Sequence, residues 1–179
     1  DGVHVIFCRS APFVFYEEPV IQRFREAYGE DPRECPDDDP RLAQVHCTFV
    51  TEFARELKEA VTAMSTTLGK PLEIAYSVYT FIEGNLRWGI DLETLVREGL
   101  VDYLMPHPAF VNPPWHDAKL EWLKPLVELV KGTSVKLYPD LYPRRQPPTA
   151  SLYSADELYD LGCDGITLWD TFSRVFRIS

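Results

Sequence analysis

Three acids stand where short apolar runs give way to polar residues: Glu83, Asp140 and Asp170. A pair of carboxyl groups at such positions suits glycoside cleavage. One protonates the leaving oxygen while the other attacks the sugar or activates water, across ~5–5.5 Å for retention and ~6.5–9.5 Å for inversion. Arg9, Tyr79, His107 and Trp169 also close apolar runs, and Tyr16, Trp88, Trp115 and Tyr142 lie in the Pro- or Gly-containing stretches that follow. Aromatic faces stack on the apolar faces of sugar rings at a low ordering cost. A guanidinium such as that of Arg9, or the adjacent Arg144 and Arg145, offers a fork to a carboxylate, whether of the substrate or of Glu17 or Glu18. Asp140, Asp170 and Glu83 are therefore the catalytic candidates, and Arg9, Tyr16, Tyr79, Trp88, His107, Trp115, Tyr142 and Trp169 the substrate-binding ones. Each also has an ordinary use as a solvated charge, a helix cap or a packed ring.

Metal and thiol chemistry find less support. His4, His107 and His116 with Asp170 can be drawn around a divalent ion, but no H-x-H or H-E-x-x-H spacing is present. Strand alternation puts His4 on a face with Ile6 and Cys8, which reads as a core histidine. The four cysteines lack C-x-x-C spacing and read as buried free thiols. No metal and no cofactor are expected. A net charge of −10 without a basic stripe argues against nucleic acid. No apolar run approaches the ~20 residues of a membrane-spanning helix.

The elements that must position these residues follow a repeated phrase. A helix ends on Gly, an Asp follows, and a short apolar run begins. It occurs at Gly99-Leu-Val-Asp102 and at Gly162-Cys-Asp164-Gly165, and Asp1-Gly2 repeats its second half. Gly tolerates the left-handed backbone that ends a helix, and a continuous apolar run suits a strand buried on both sides. Strands are predicted over 3–9, 72–79, 101–106, 134–139 and 165–170. Leu42, Val45, Phe49, Phe53, Leu57, Val61 and Met64 form a helical stripe. Further helices are predicted over 18–28 with Pro19 in the first turn, from a cap at Asp91 to 98, over 117–131 with a kink or break at Pro125, and from a Ser154–Glu157 capping box to 161.

Strands alternating with helices make parallel βαβ units with right-handed crossovers. The connections after strands are long and rich in unusual residues, and those before strands are short. That asymmetry favours a (β/α)8 barrel, whose site forms at the C-terminal ends of the strands, over a doubly wound open sheet. At 179 residues the chain is shorter than the ~250 of a complete barrel. The expectation is an α/β fold in which residues 1–179 form a single domain, a partial TIM barrel of about five βα units.

Three stretches carry a resemblance: Asp1-Gly-Val-His-Val-Ile-Phe-Cys-Arg9, the segment from Gly89 to Pro106, and Gly162-Cys-Asp-Gly-Ile166. Together they resemble the glycoside-hydrolase-like barrels known as family-10-like glycosyl hydrolases, from about the fourth strand to the eighth. The resemblance implies a glycosidase, a hydrolase acting on an oligosaccharide or polysaccharide at the C-terminal rim. Ile6 stands where that family's strand carries a carboxylate, and a side chain of that kind transfers no proton. The other reading is thus a carbohydrate-binding barrel without catalysis. A partial barrel leaves two open strand edges and an exposed inner layer. A second copy of the chain, or further chain, is expected to cover them.

Overall fold

Four parallel strands in chain order form the sheet of the computed structural model, which describes residues 1–8, 12–108, 120–141 and 147–168 in full and 115–119 as backbone. They are β1 Gly2–Ile6, β2 Glu73–Tyr79, β3 Tyr103–His107 and β4 Lys136–Leu137. Ile6 stands opposite Ser77, Tyr79 opposite His107, and Tyr103 opposite Lys136. Beyond β4, Asp140 pairs with Thr167 in a single parallel bridge, which carries the same order one step further. Parallel neighbours need long crossovers, and helices provide them: α1 Glu18–Tyr28, α2 Pro40–Leu68, α3 Ile82–Arg87, α4 Leu92–Arg97, α5 Trp115–Val130 and α6 Pro148–Leu161, with a 3-10 turn at Pro32–Glu34. The chain is an α/β protein.

One face of the sheet is buried. Ile74, Tyr76, Val78, Leu104 and Leu137 share one apolar core with Val50, Ala54 and Val61 of α2, Leu92 and Leu95 of α4, Leu123 and Leu126 of α5, and Leu158 of α6. The opposite face is covered unevenly. Glu73 and Lys136 are exposed at its N-terminal end, while Ser77, Tyr79 and His107 are buried at its C-terminal end. His4 lies on this second face and is exposed, not a core residue, with its Nε2 2.8 Å from Ser77 Oγ.

Local chemistry sets most of the helix ends. Pro19 opens α1 and Gly29 closes it at φ 74°. The Asp39 carboxylate accepts from the Arg41 amide at 2.9 Å to cap α2, and Asp91 accepts from the Thr94 amide at 3.1 Å to cap α4. The stripe expected along α2 is buried only in part, since Phe53 and Met64 are exposed. The helix has two partners in two directions: Leu42 and Val45 pack on Val20 and Phe24 of α1, whereas Val50, Ala54 and Val61 face the sheet core. Three further expectations change, one of them in part. Helix α6 starts at Pro148 without a side-chain cap, so Ser154 lies inside it and the Ser154–Glu157 box is not used. Pro already fixes the φ of a first turn. Helix α5 is one helix with Pro125 inside it, which removes the alternative of two short helices at that residue. The stretch after β2 that reads as loop holds α3.

The recurring Gly-to-Asp phrase has a structural cause. Asp102 donates its amide to the Ile74 carbonyl at 2.8 Å, and its carboxylate accepts from the Ile74 amide at 2.7 Å. Asp164 repeats this on Leu137, with both distances 3.0 Å. Each acid thus closes the preceding strand by holding one residue's amide and carbonyl together. Lys58 and Lys136 pair with these two carboxylates at 3.4 and 2.8 Å.

Candidate functional site

The exit of β2 is built by Asn85 on α3, which has no exposed surface. Its Oδ1 accepts from the Tyr79 amide at 2.9 Å, and its Nδ2 donates to the carbonyls of Tyr79 and Phe81 at 2.9 and 2.8 Å. Backbone groups leaving the ladder are thereby satisfied without water. The strand end is held rigidly, and Tyr79 is aimed to the same side of the sheet as its register partner His107. Burial, with the neighbouring Cys8 adding to it, pushes the Tyr79 phenol up to about 12, so it is a neutral hydroxyl.

His107 and Asp140 end adjacent strand paths on that side. Asp140 donates its amide to the Pro106 carbonyl at 2.9 Å. His107 Nδ1 lies 3.2 Å from Asp140 Oδ2, with the two side chains only 5% and 1% exposed. Sealed from water, the acid and the imidazole stand at ion-pair distance, where the low local dielectric strengthens any interaction between them. Thr80, just past β2, buries its hydroxyl oxygen with no hydrogen-bond partner among the described residues.

A second group of candidates lies in a cleft of about 630 Å3. Tyr16, Glu83 and Trp88 all line it, joined by His46 from α2 and Asp37 and Asp38 from the loop before that helix. The lining includes neither His107 nor Asp140. Gly89, at φ 82°, fixes the packing of the cleft wall, because a side chain there would bring its Cβ within 2.8 Å of His46 Cβ. The sequence candidates therefore divide into two groups: Tyr79, His107 and Asp140 at the sheet edge, and Tyr16, Glu83 and Trp88 in the cleft. Arg9, Tyr142, Trp169 and Asp170, with Arg144 and Arg145, lie outside the described residues. Trp115 begins α5, and its side chain, like that of His116, also lies outside them.

Asn85 and His46 escaped sequence reasoning, Asn85 because the stretch after β2 reads as loop and His46 because it sits in a helix whose pattern marks packing alone. Cys8, on the His4 face, is fully buried beside Tyr79, in line with its reading as a buried thiol. None of the four cysteines forms a disulfide among the described residues, and only Cys8 and Cys163 are buried; Cys35 and Cys47 are half-buried. Burial, reinforced by Asp91, pushes the Cys47 thiol up to about 11, which keeps it protonated and unreactive. Among the described residues no group of three or more His, Cys, Asp or Glu side chains is placed to hold a metal ion, and no helix is long and apolar enough to cross a membrane. Comparison with protein-family models and with curated proteins returns no match.

Proposed function

We propose that the chain is the C-terminal part of a (β/α)8 barrel and that its rim hydrolyses a carbohydrate. The observation that carries this reading is the buried His107–Asp140 pair, 3.2 Å apart at the C-terminal edge of a parallel sheet whose strands follow chain order. Barrel sites form at that edge, and an acid beside an imidazole there is suited to proton transfer. In this reading Asp140 is one carboxyl of the glycosidase pair and His107 fixes its orientation. The chain 165–168 runs beside Asp140, paired through Thr167, and leads to Asp170 as the second carboxyl. The resemblance to family-10-like glycosyl hydrolases adds the substrate class, and the uneven cover of the second sheet face supports a barrel interior. That half-open face is also where a second copy of the chain would pack.

The test is release of reducing sugar from a panel of oligosaccharides and polysaccharides, using a protein that includes whatever chain completes the barrel. Asp140→Asn is expected to lower turnover by at least ~100-fold, the low end for loss of a general acid or base, while binding of an intact oligosaccharide persists. Full activity in Asp140→Asn would remove the assignment.

A second reading rests on Ile6, which is 45% exposed on the face that carries His4, opposite Ser77. An apolar side chain open to solvent at that point suits contact with a sugar ring, not proton transfer. On that reading the rim binds a glycan and leaves it intact. Retention on immobilised polysaccharide with no product release from any member of the panel distinguishes the two.

A further inference from the structure

The cleft between the segment after β1, the loop before α2, and α3 has a chemistry of its own. Its volume of about 630 Å3 falls in the range that encloses a small organic molecule. Tyr16 and Phe15 stand in its wall with large exposed areas, and Trp88 lies opposite, half-buried. Such rings contribute flat apolar surface and a negative face that attracts cations. Trp88 already shows this preference, with the Arg87 guanidinium 5.3 Å from its ring centre.

The charges in the wall are one-sided. Asp39 is spent on Arg41 and the cap of α2, but Asp37, Asp38 and Glu83 have no ion-pair partner among the described residues. Asp37 lies close enough to Tyr16 that its charge, after burial, helps to raise that phenol. Arg87 is the cation of the described lining, against three unneutralised carboxylates. His46 adds a ring nitrogen, Nε2, that is buried and has no hydrogen-bond partner among the described residues. Burial lowers the His46 pKa, with Glu17 opposing, so the ring is neutral and Nε2 can accept or donate according to its tautomer. A buried polar atom without a partner costs free energy until something meets it.

We propose that this cleft binds a protonated organic amine carried on a body of about one ring. The aromatic walls take the body, the ammonium lies towards Asp37, Asp38 and Glu83, and His46 Nε2 meets a polar atom of the ligand. A small anion is disfavoured by the same carboxylates, and a neutral ring leaves them unanswered. The chain's net charge of −10 draws cations towards this surface before contact. The site stands independently of the rim reading, since neither His107 nor Asp140 lines it.

The test is titration calorimetry on the full chain at low ionic strength with benzylamine and with glucosamine, each beside its uncharged counterpart, benzyl alcohol or N-acetylglucosamine. At least one amine is expected to bind about tenfold more tightly than its counterpart; which one does separates a hydrocarbon body from a sugar body. The combined Asp37→Asn, Asp38→Asn, Glu83→Gln variant should weaken amine binding about tenfold or more. Arg87→Gln should tighten it a few-fold by removing the opposing charge. All these positions are on the surface, and circular dichroism of each variant checks that the fold is kept. Asp140→Asn should leave amine binding unchanged, so a failure at the rim and a failure in the cleft are seen separately. Equal affinity for charged and uncharged members of both pairs, no amine binding, or unaltered binding in the triple variant would overturn the proposal.

Discussion

The two edges of the sheet use the same residue type in opposite ways. At the N-terminal edge Asp102 and Asp164 remain 34% and 29% exposed, and each is met by a backbone amide and a lysine. At the C-terminal edge Asp140 is 1% exposed and faces an imidazole. A partly solvated acid that holds the backbone carries a smaller desolvation penalty, which for Asp164 its hydrogen bonds and lysine outweigh. A sealed acid beside a sealed base is expensive to bury and is weak evidence of stability on its own terms. The lower edge is built for the fold, and the upper edge carries the groups whose burial the fold does not require. Stability and function are divided between the bottom and top of parallel barrel sheets in the same way.

Asn85 is the exception, a structural residue at the upper edge, and gives the strongest way to break the comparison. Asn85→Ala removes three hydrogen bonds around the end of β2, two of them buried. It is expected to lower unfolding free energy by about 3 kcal/mol or more, read from the denaturant midpoint. A loss under about 1 kcal/mol would show that the strand end does not depend on this side chain.

Asp102→Ala tests the lower edge. It strands the Ile74 amide inside the core, and the expected loss is about 1–3 kcal/mol with rim and cleft binding intact. If ligand binding fell while stability held, the division of the two edges would be wrong.

Asp164 sharpens the same point through pH. Burial alone would raise its carboxyl; the hydrogen bonds from Lys136 and the Leu137 amide, with the Lys136 charge, outweigh it and hold the pKa below the ordinary 3.8. The folded value is therefore lower than the unfolded one. Its contribution to stability is fully present above about pH 4 and is lost as the pH falls through the folded pKa. The gap in melting temperature between the protein and Asp164→Ala should stay constant near neutral pH and narrow in acid. A gap that widens in acid would reverse the sign of the coupling.

The smallest effect concerns Tyr76, whose buried hydroxyl has no hydrogen-bond partner among the described residues and whose pKa burial pushes up to about 12. Tyr76→Phe removes an unsatisfied polar atom while keeping the ring that packs edge-on against Phe7. It should be neutral or stabilising by up to about 1 kcal/mol, measured by thermal melting. A marked loss would mean that the hydroxyl has a partner after all.

What the sequence made legible was local. The limits of α1 match the expected 18–28, because Pro19 and Gly29 mark both ends. Asp91 caps α4 as its spacing implies. Strand order followed from the alternation of strands and helices. His107 and Asp140 could each be placed at a strand end, but their meeting depends on neighbouring strands lying in register, and no motif encodes that. The cleft was less legible still. His46, Tyr16 and Glu83 reach it from three separate elements, and His46 reads as one more polar position on a long helix. The apolar stripe of α2 misled because it assumed one partner where the helix has two.

The paired clamps also bear on how the chain is made. Asp102 closes Ile74 across 28 residues and Asp164 closes Leu137 across 27. The first loop holds α3 and α4 and the second holds α6, and each lock is supplied by the chain that comes next. On a ribosome, where residues emerge in order, a strand becomes fastened when the first acid of the following unit appears, with no wait for the distant C-terminus. Contacts of such short span favour rapid, directional assembly. They also set where the chain tolerates change. A residue added in the long connections above the sheet leaves the lock untouched, whereas one added between Gly99 and Asp102 slides the acid off its amide and misregisters every strand that follows.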